Sequence, residues 1–188
     1  MSSSAAATDH ELMRRCQFGD AVAFEVLVRR WQGPIGRMVG HLLPPGADID
    51  DLCQEVFVRV LRAREHYQPN HSFSTWMYQI ALNVARDSRR RAGRRPQEPL
   101  AARDVASGEP GPDDSLERQE TSTAVAAAVA ALPERLREVL VLKHFGKLSF
   151  SEVAIATGLP LGTVKSRMQA AFVQLRVELR RLGITESE

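Results

Sequence analysis

The chain is poor in cysteine and has no long apolar run, and each shortage excludes a class of protein. Only 2 of its 188 residues are cysteines. Cys16 and Cys53 each lie inside a helical pattern without the paired spacing of a zinc site, so we expect inert buried thiols rather than a redox or metal centre. No apolar run approaches the length of a membrane span, and residues 1–8 lack the charged and apolar parts of a signal peptide. We therefore expect a cytoplasmic protein without membrane insertion.

The sequence also lacks the usual material of a catalytic site. Its densest acidic block contains Asp48, Asp50, Asp51 and Glu55, of which the last two share a helix face at an interval of four. Such carboxylates could serve metal-dependent phosphoryl transfer, but the block has no histidine and the chain has no glycine-rich loop that would cradle phosphate. Capping is the simpler explanation, because the helix dipole favours acidic residues at a helix start. We expect no catalytic residue, metal or cofactor.

What the chain has in quantity is apolar residues at helical spacing. They recur every three or four residues from Asp9 onward, interrupted by breakers such as the Pro-Pro-Gly of residues 44–46. A hydrophobic content of 44% is sufficient for packed cores. The pattern predicts an all-α protein built from two small helical domains.

Two helices in the first half carry the most informative patterns. The helix that opens at Asp48 is predicted to bury a broad face, formed by Leu52, Cys53, Val56, Phe57, Val60 and Leu61. A polar loop over residues 67–74 then leads into a helix in which Trp76, Ile80 and Val84 share one stripe with Phe73. We therefore interpret Trp76 as a core residue rather than as an exposed stacking platform.

A dense run of arginines ends this second helix. Its members are Arg86, Arg89, Arg90, Arg91, Arg94 and Arg95, offset only by Asp87. Charge of one sign beside Asn83 is typical of a surface that contacts a phosphate backbone. The alternative is an ordinary solvated helix end.

The composition changes after the arginines. Residues 96–122 are rich in Pro, Gly, Ala and Ser, and acidic side chains outnumber basic ones there. This composition predicts a flexible acidic linker between one domain at residues 9–95 and another at 123–183, with tails at 1–8 and 184–188.

A helix-turn-helix pattern occupies residues 149–176. Ser149 and Glu152 form a capping box that starts one helix, and Gly158 can take the left-handed conformation that ends it. The next helix is predicted to bury Val164, Met168, Ala171 and Leu175. Its outer side is predicted to carry Thr163, Lys165, Ser166, Arg167 and Gln169. These polar side chains suit contacts with phosphates and base edges, so the pattern favours DNA binding over a plain helical hairpin.

Three blocks, in this order, resemble bacterial sigma factors of the extracytoplasmic-function (ECF) group. They are DLCQEVF at 51–57, FSTWMYQIALNVARD at 73–87 with its arginine tail, and LPERLREVL at 132–140 leading into GTVKSR at 162–167. The resemblance covers about residues 21–95 and 131–182. It implies a subunit that binds core RNA polymerase and directs recognition and melting of promoter DNA. It also implies an anti-sigma factor as regulator.

The resemblance assigns roles to three sets of residues. Asp51, Leu52, Gln54 and Glu55 match positions that dock on the clamp helices of the polymerase β′ subunit, while the second domain is expected to contact the β flap. The −10 element is assigned to Asn70, Ser74, Asn83, Arg86, Arg89 and Arg90. The −35 element is assigned to Thr163, Lys165, Ser166, Arg167 and Gln169. At Gln169 and Ala170 the chain departs from many members, which place an aromatic or basic side chain there.

Two alternatives bear on this interpretation. A repressor acting alone on an operator would need a dimer to read paired half-sites, and the sequence offers no heptad seam for one. The acidic linker either threads the polymerase channel meant for RNA or serves as a spacer, and the sequence does not separate these two roles.

Overall fold

The computed structural model describes residues 7–93 and 116–184, with the side chains of 116–122 excepted. Within these ranges all regular structure is helical, which confirms the predicted all-α class. The helices are α1 (Asp9–Gln17), α2 (Ala21–Leu42), α3 (Ile49–Ala63), α4 (Phe73–Ala92), α5 (Leu116–Ala131), α6 (Glu134–His144), α7 (Phe150–Thr157) and α8 (Leu161–Arg181), and a 3-10 turn at Arg64–His66 follows α3. Arg94, Arg95, most of the predicted linker and most of both tails lie outside the described residues.

The helices of the N-terminal unit, α1–α4, each begin at a capping side chain. Thr8, Asp20, Asp48 and Ser72 accept a hydrogen bond from the backbone N–H three residues further on. Capping satisfies backbone donors that the first turn leaves without a partner. The acidic residues around Asp48 thus have the structural role that the helix dipole predicts.

Helix α2 continues through Pro34 without a break. A proline costs an internal hydrogen bond, but Ile35, Met38, Val39 and Leu42 follow it and are fully buried. Burial of this stripe holds α2 together as one element.

The buried face of α3 is narrower than predicted. Val56, Phe57 and Val60 are buried, and Leu52 and Cys53 are half-buried. Leu61, however, is 40% exposed, so its prediction as a core residue was wrong. The predicted face consists of two adjacent stripes. Together they span a wider arc of α3 than the side that packs against α2 and α4, so Leu61 at its margin stays exposed.

The C-terminal unit consists of α5–α8. Helix α5 begins at Leu116 rather than at Thr123, within the predicted linker. Residues 116–122 are mostly good helix formers, and neither glycine nor proline interrupts the chain before Pro133. Helix α6 buries Leu136, Val139, Leu140 and Leu142, which recur at helical spacing.

The two units pack directly against each other. Helix α7 lies against α4, while α5 and α6 lie against α2. Gly146, in the turn between α6 and α7, comes so close that a Cβ atom built there would lie 3.2 Å from the Tyr78 ring of α4. Next to it, the rings of Phe145 and His41 stack with centroids 3.7 Å apart. Further along α4, Arg86 and Arg89 reach Glu138 of α6.

Candidate nucleic-acid interface

The helix-turn-helix forms as its local sequence predicts. The backbone N–H of Glu152 donates to Ser149 Oγ at 3.2 Å, and the backbone N–H of Ser149 donates to Glu152 Oε2 at 2.8 Å. Gly158 ends α7 with a φ of 72°, in the left-handed region that favours glycine. Because these signals lie within a few residues of one another, the sequence alone was sufficient to predict them.

The outer side of α8 presents the predicted −35 residues on an open surface. Lys165, Ser166 and Gln169 are exposed, whereas Thr163 and Arg167 are half-buried. The Ser166 hydroxyl donates to the Thr163 carbonyl at 3.1 Å. Among the residues that the structure describes, neither Lys165 nor Arg167 forms a salt bridge. Their charges are therefore available to phosphates or base edges.

The predicted −10 residues divide between the two ends of α4. Asn70 is exposed and Ser74 is half-buried at the N-terminal end, where Ser74 Oγ lies 3.0 Å from Ser72 Oγ. Ser74 and Arg86 are about 18 Å apart along the axis of a regular helix. A cleft of about 750 Å³ lies at the other end, lined in part by Asn83, Arg86 and Arg90.

Aromatic packing supports the loop that precedes α4. The ring centroids of Tyr67 and Trp76 are 4.7 Å apart, and those of Tyr67 and Phe73 are 5.8 Å apart. Burial, followed by the charge of Asp9, raises the pKa of Tyr67 to about 12. Trp76 is half-buried in this cluster, which agrees with its interpretation as a packing residue.

Helix α1 ties this loop to the rest of the N-terminal unit, a role that sequence reasoning missed. The Gln17 amide donates to the carbonyls of Arg64 and Tyr67, each at 3.0 Å. The Tyr67 hydroxyl is hydrogen-bonded to His10 Nδ1. These contacts span about fifty positions, so no local pattern could have revealed them.

The predicted polymerase-docking residues lie along α3. Asp51 and Gln54 are exposed, while Leu52 and Glu55 are half-buried. Glu55 accepts a hydrogen bond from Arg59 at 2.8 Å, and Arg59 also reaches Asp87 of α4 at 2.7 Å. The described part of the chain contains no cluster of three or more acidic, histidine or cysteine side chains placed to hold a metal ion.

Two of the predicted −10 arginines are paired with the C-terminal unit. Arg86 donates to Glu138 through Nε at 3.0 Å and through Nη2 at 2.7 Å. Arg89 donates to Glu138 at 2.6 Å, and its Nε lies 3.1 Å from a carboxylate oxygen of Glu134. Arg90 remains exposed and pairs with Asp87 of its own helix. No local pattern in the sequence indicates that Glu138 belongs to this site, because it lies about fifty positions from both arginines.

A second carboxylate crosses the junction at the opposite end of α4. Glu152 accepts hydrogen bonds from the hydroxyls of Ser72 at 2.5 Å and Thr75 at 3.2 Å. The bond from Ser72, together with the backbone bond from Ser149, lowers the pKa of Glu152 to about 2. Glu152 therefore both caps α7 and joins it to α4.

Comparison with known proteins places these features in a family. The profile of Sigma-70 region 2 matches residues 27–95, and that of Sigma-70 region 4 matches residues 122–175. The ECF RNA polymerase sigma-E factor of Escherichia coli K12 is 34% identical over 170 residues, covering 86% of this chain and 88% of that protein. The RNA polymerase sigma-H factor of Pseudomonas aeruginosa is 32% identical over 169 residues, covering 85% and 88%.

Solved structures agree with the sequence relatives. CnrH, solved in complex with the cytosolic domain of CnrY, has a TM-score of 0.68 and 26% identity, covering 92% of this chain and 97% of that chain. The sigma factor RpoE of Bartonella quintana, solved with the anti-sigma factor NepR, shares the fold at a TM-score of 0.68 and 20% identity, covering 84% and 96%.

The chain belongs to the ECF group of the sigma-70 family of RNA polymerase sigma factors. It directs promoter recognition in transcription initiation, with core RNA polymerase and promoter DNA as its partners. Across the described ranges, no helix is long and apolar enough to cross a membrane.

Proposed function

We propose that the two halves of this sigma factor divide the work of promoter recognition. Residues 9–95 bind core polymerase and open the −10 element, and residues 123–183 read the −35 element and contact the β flap. The observation that carries this proposal is the open face of α8, where Lys165 and Arg167 have no salt bridge within the described chain. An unpaired basic face at the start of a recognition helix suits major-groove contacts.

Helix α3 supplies the proposed docking surface for the β′ clamp helices. Its polar residues Asp51, Gln54 and Glu55 surround half-buried Leu52, while Val56 and Val60 hold the helix to the core. A polar rim around an apolar centre is typical of a protein–protein interface.

The −10 element is proposed to lie along α4, from Asn70 and Ser74 to Asn83, Arg86, Arg89 and Arg90. Melting requires unstacking, which costs a few kcal/mol per step. Arginine contacts to single-strand phosphates, with capture of a flipped base at the 67–74 loop, offset that cost. The chain itself contributes no catalytic group, because phosphodiester chemistry belongs to the polymerase.

The division of labour is tested by substitutions on the two surfaces. Lys165→Ala or Arg167→Ala is expected to lower holoenzyme affinity for −35-dependent promoters by about tenfold each while core affinity stays unchanged. Arg135→Ala, at an exposed position of α6, removes the same charge away from α8 and serves as the matched control. A loss of core affinity equal to the loss of promoter affinity would contradict the division.

The docking surface is tested by charge reversal on α3. Glu55→Arg is expected to weaken core binding without changing which promoters are preferred. Because Glu55 also pairs with Arg59, we add Gln54→Arg, whose side chain is exposed and unpaired within the described residues. Specific promoter binding by the isolated chain, undiminished without core polymerase, would contradict the sigma-factor mechanism and favour an independent repressor.

Regulation is proposed to come from an anti-sigma factor in the cytoplasm, where the polymerase acts. The proposal is supported by CnrH and by RpoE of Bartonella quintana, which were solved with CnrY and with the anti-sigma factor NepR. Such a regulator should compete with core polymerase for this chain. Simultaneous binding of both in a native pull-down would contradict that competition.

A further inference from the structure

The carboxylate of Glu138 occupies the two arginines that the proposed −10 site needs. Its two oxygens accept three hydrogen bonds, two from Arg86 and one from Arg89. We propose that Glu138 is an internal substitute for a DNA phosphate. By pairing with these arginines, Glu138 holds the two units of the free chain together, a state that we call closed, and keeps the α4 arginines from binding DNA. Closure and −10 binding therefore exclude each other. This inference rests on the proposed role of Arg86 and Arg89 in binding DNA.

The chemistry of the contact supports an exchange between carboxylate and phosphate. Arg86 meets Glu138 with two parallel hydrogen bonds, and the planar guanidinium fork fits both anions in this way. The side chains of Glu138 and Arg89 are only 8% and 10% exposed. Separating a buried pair leaves uncompensated charge, but an incoming phosphate would satisfy the arginines again.

The surroundings of Glu138 carry an excess of positive charge. Arg137 is buried, and its guanidinium donates to the Leu42 carbonyl at 3.3 Å, an oxygen that also accepts from Arg89 at 3.1 Å. Burial, and then the charge of Arg89, lower the pKa of Arg137. Three arginines therefore face two carboxylates, Glu138 and Glu134. Such a cluster favours binding of an additional anion.

A second carboxylate blocks the other end of the same helix. Glu152 engages Ser72 and Thr75 at the start of α4, and Ser72 in turn contacts Ser74 of the proposed −10 set. Helix α4 is about 30 Å long, so the two carboxylates block sites near both of its ends. Lys165 and Arg167 stay outside these contacts. The closed chain thus occupies Arg86 and Arg89 of its −10 set and leaves its −35 surface open.

The experiment uses the full-length chain without polymerase. Affinity is measured for a labelled single-stranded oligonucleotide, the non-template −10 strand of a promoter that the reconstituted holoenzyme transcribes. The radius of gyration is measured by small-angle X-ray scattering. Glu138→Gln keeps the side-chain shape and removes the charge. Glu178→Gln, which loses an equal charge from an i,i+3 pair on α8, is the matched control.

Glu138→Gln is expected to raise the affinity for the oligonucleotide about tenfold and to increase the radius of gyration, because a larger fraction of chains is competent to bind. Glu134→Gln, at a position whose side chain is 61% exposed, should shift both quantities in the same direction by less. Glu178→Gln should change neither quantity.

Two results would overturn the proposal. Glu138→Gln and Glu134→Gln could leave both quantities unchanged, or they could expand the chain without raising its affinity. Arg86→Gln in the holoenzyme separates this failure from failure of the proposed function. If Arg86→Gln does not weaken −10 binding, the DNA role of Arg86 is wrong, and the exchange proposed for Glu138 is overturned with it.

Discussion

The two surfaces assigned to DNA differ in the state of their arginines. On α8, Arg167 and its neighbour Lys165 have no salt-bridge partner within the described residues. On α4, Arg86 and Arg89 are held by Glu138, which lies 52 and 49 positions away in the chain. In the sequence the two surfaces look the same, because each is a set of basic side chains on a predicted helix. The difference shows that the local charge pattern identifies basic side chains but does not say whether they are accessible.

The largest difference between the two surfaces should appear in the free energy of unfolding when one arginine is removed from each. Arg89→Ala leaves the buried Glu138 carboxylate with Arg86 as its remaining partner, so we expect a loss of about 2 kcal/mol in unfolding free energy. Arg167→Ala removes a charge without a salt bridge and should cost less than about 0.5 kcal/mol. Urea denaturation of both variants measures the contrast. Equal losses would contradict the difference in pairing.

The contact at Glu152 should make the closed chain sensitive to acid. The pKa of Glu152 is lowered from 4.5 to about 2, so its contribution is present above pH 4.5 and is lost as the pH falls towards 2. Allowing for solvent screening, we expect the free energy of unfolding to fall by about 1–2 kcal/mol over this window. Denaturation as a function of pH measures it, and Glu152→Gln should remove this component. An unchanged pH slope in that variant would contradict the lowered pKa of Glu152.

A smaller pH effect on closure should come from His41, which stacks on Phe145 where the two units meet. Burial lowers the pKa of His41 below its usual 6.5. The neutral ring is favoured in the closed chain, so closure weakens as the pH falls from 6.5 through the lowered pKa. An NMR titration should show this pKa, and Phe145→Ala should return it towards 6.5. A value of 6.5 in the unaltered chain would contradict the stacking.

The smallest expected change concerns the open surface. If Lys165 neutralises one phosphate, Lys165→Ala should reduce the slope of log affinity against log salt by about 1 in the holoenzyme. Promoter binding measured over a range of salt concentrations gives this slope. An unchanged slope would mean that Lys165 does not contact phosphate.

The parts of the molecule that were predictable are those set by neighbouring residues. The capping box at Ser149 and the left-handed Gly158 follow from a few adjacent side chains. The apolar stripe of α6 follows from helical period alone. These local rules also supported the family resemblance, since its blocks coincide with individual helices.

The parts that were missed depend on distant contacts. The exposure of Leu61 follows from which side of α3 its neighbours cover, and the pairing of Glu138 with Arg86 follows from how two units pack. Helical periodicity identifies an apolar side but not the width that becomes buried. Charge patterns likewise identify basic residues without their partners.

The central claim is that the free chain is closed with its α4 arginines paired, and that it opens on the promoter. The most direct test is the distance between spin labels at Ala92 and Arg135, exposed positions near the Arg89–Glu134 contact, after Cys16 and Cys53 have been replaced. We predict one short distance in the free chain and a longer one in the holoenzyme bound to promoter DNA. The same distance in both states would contradict the account.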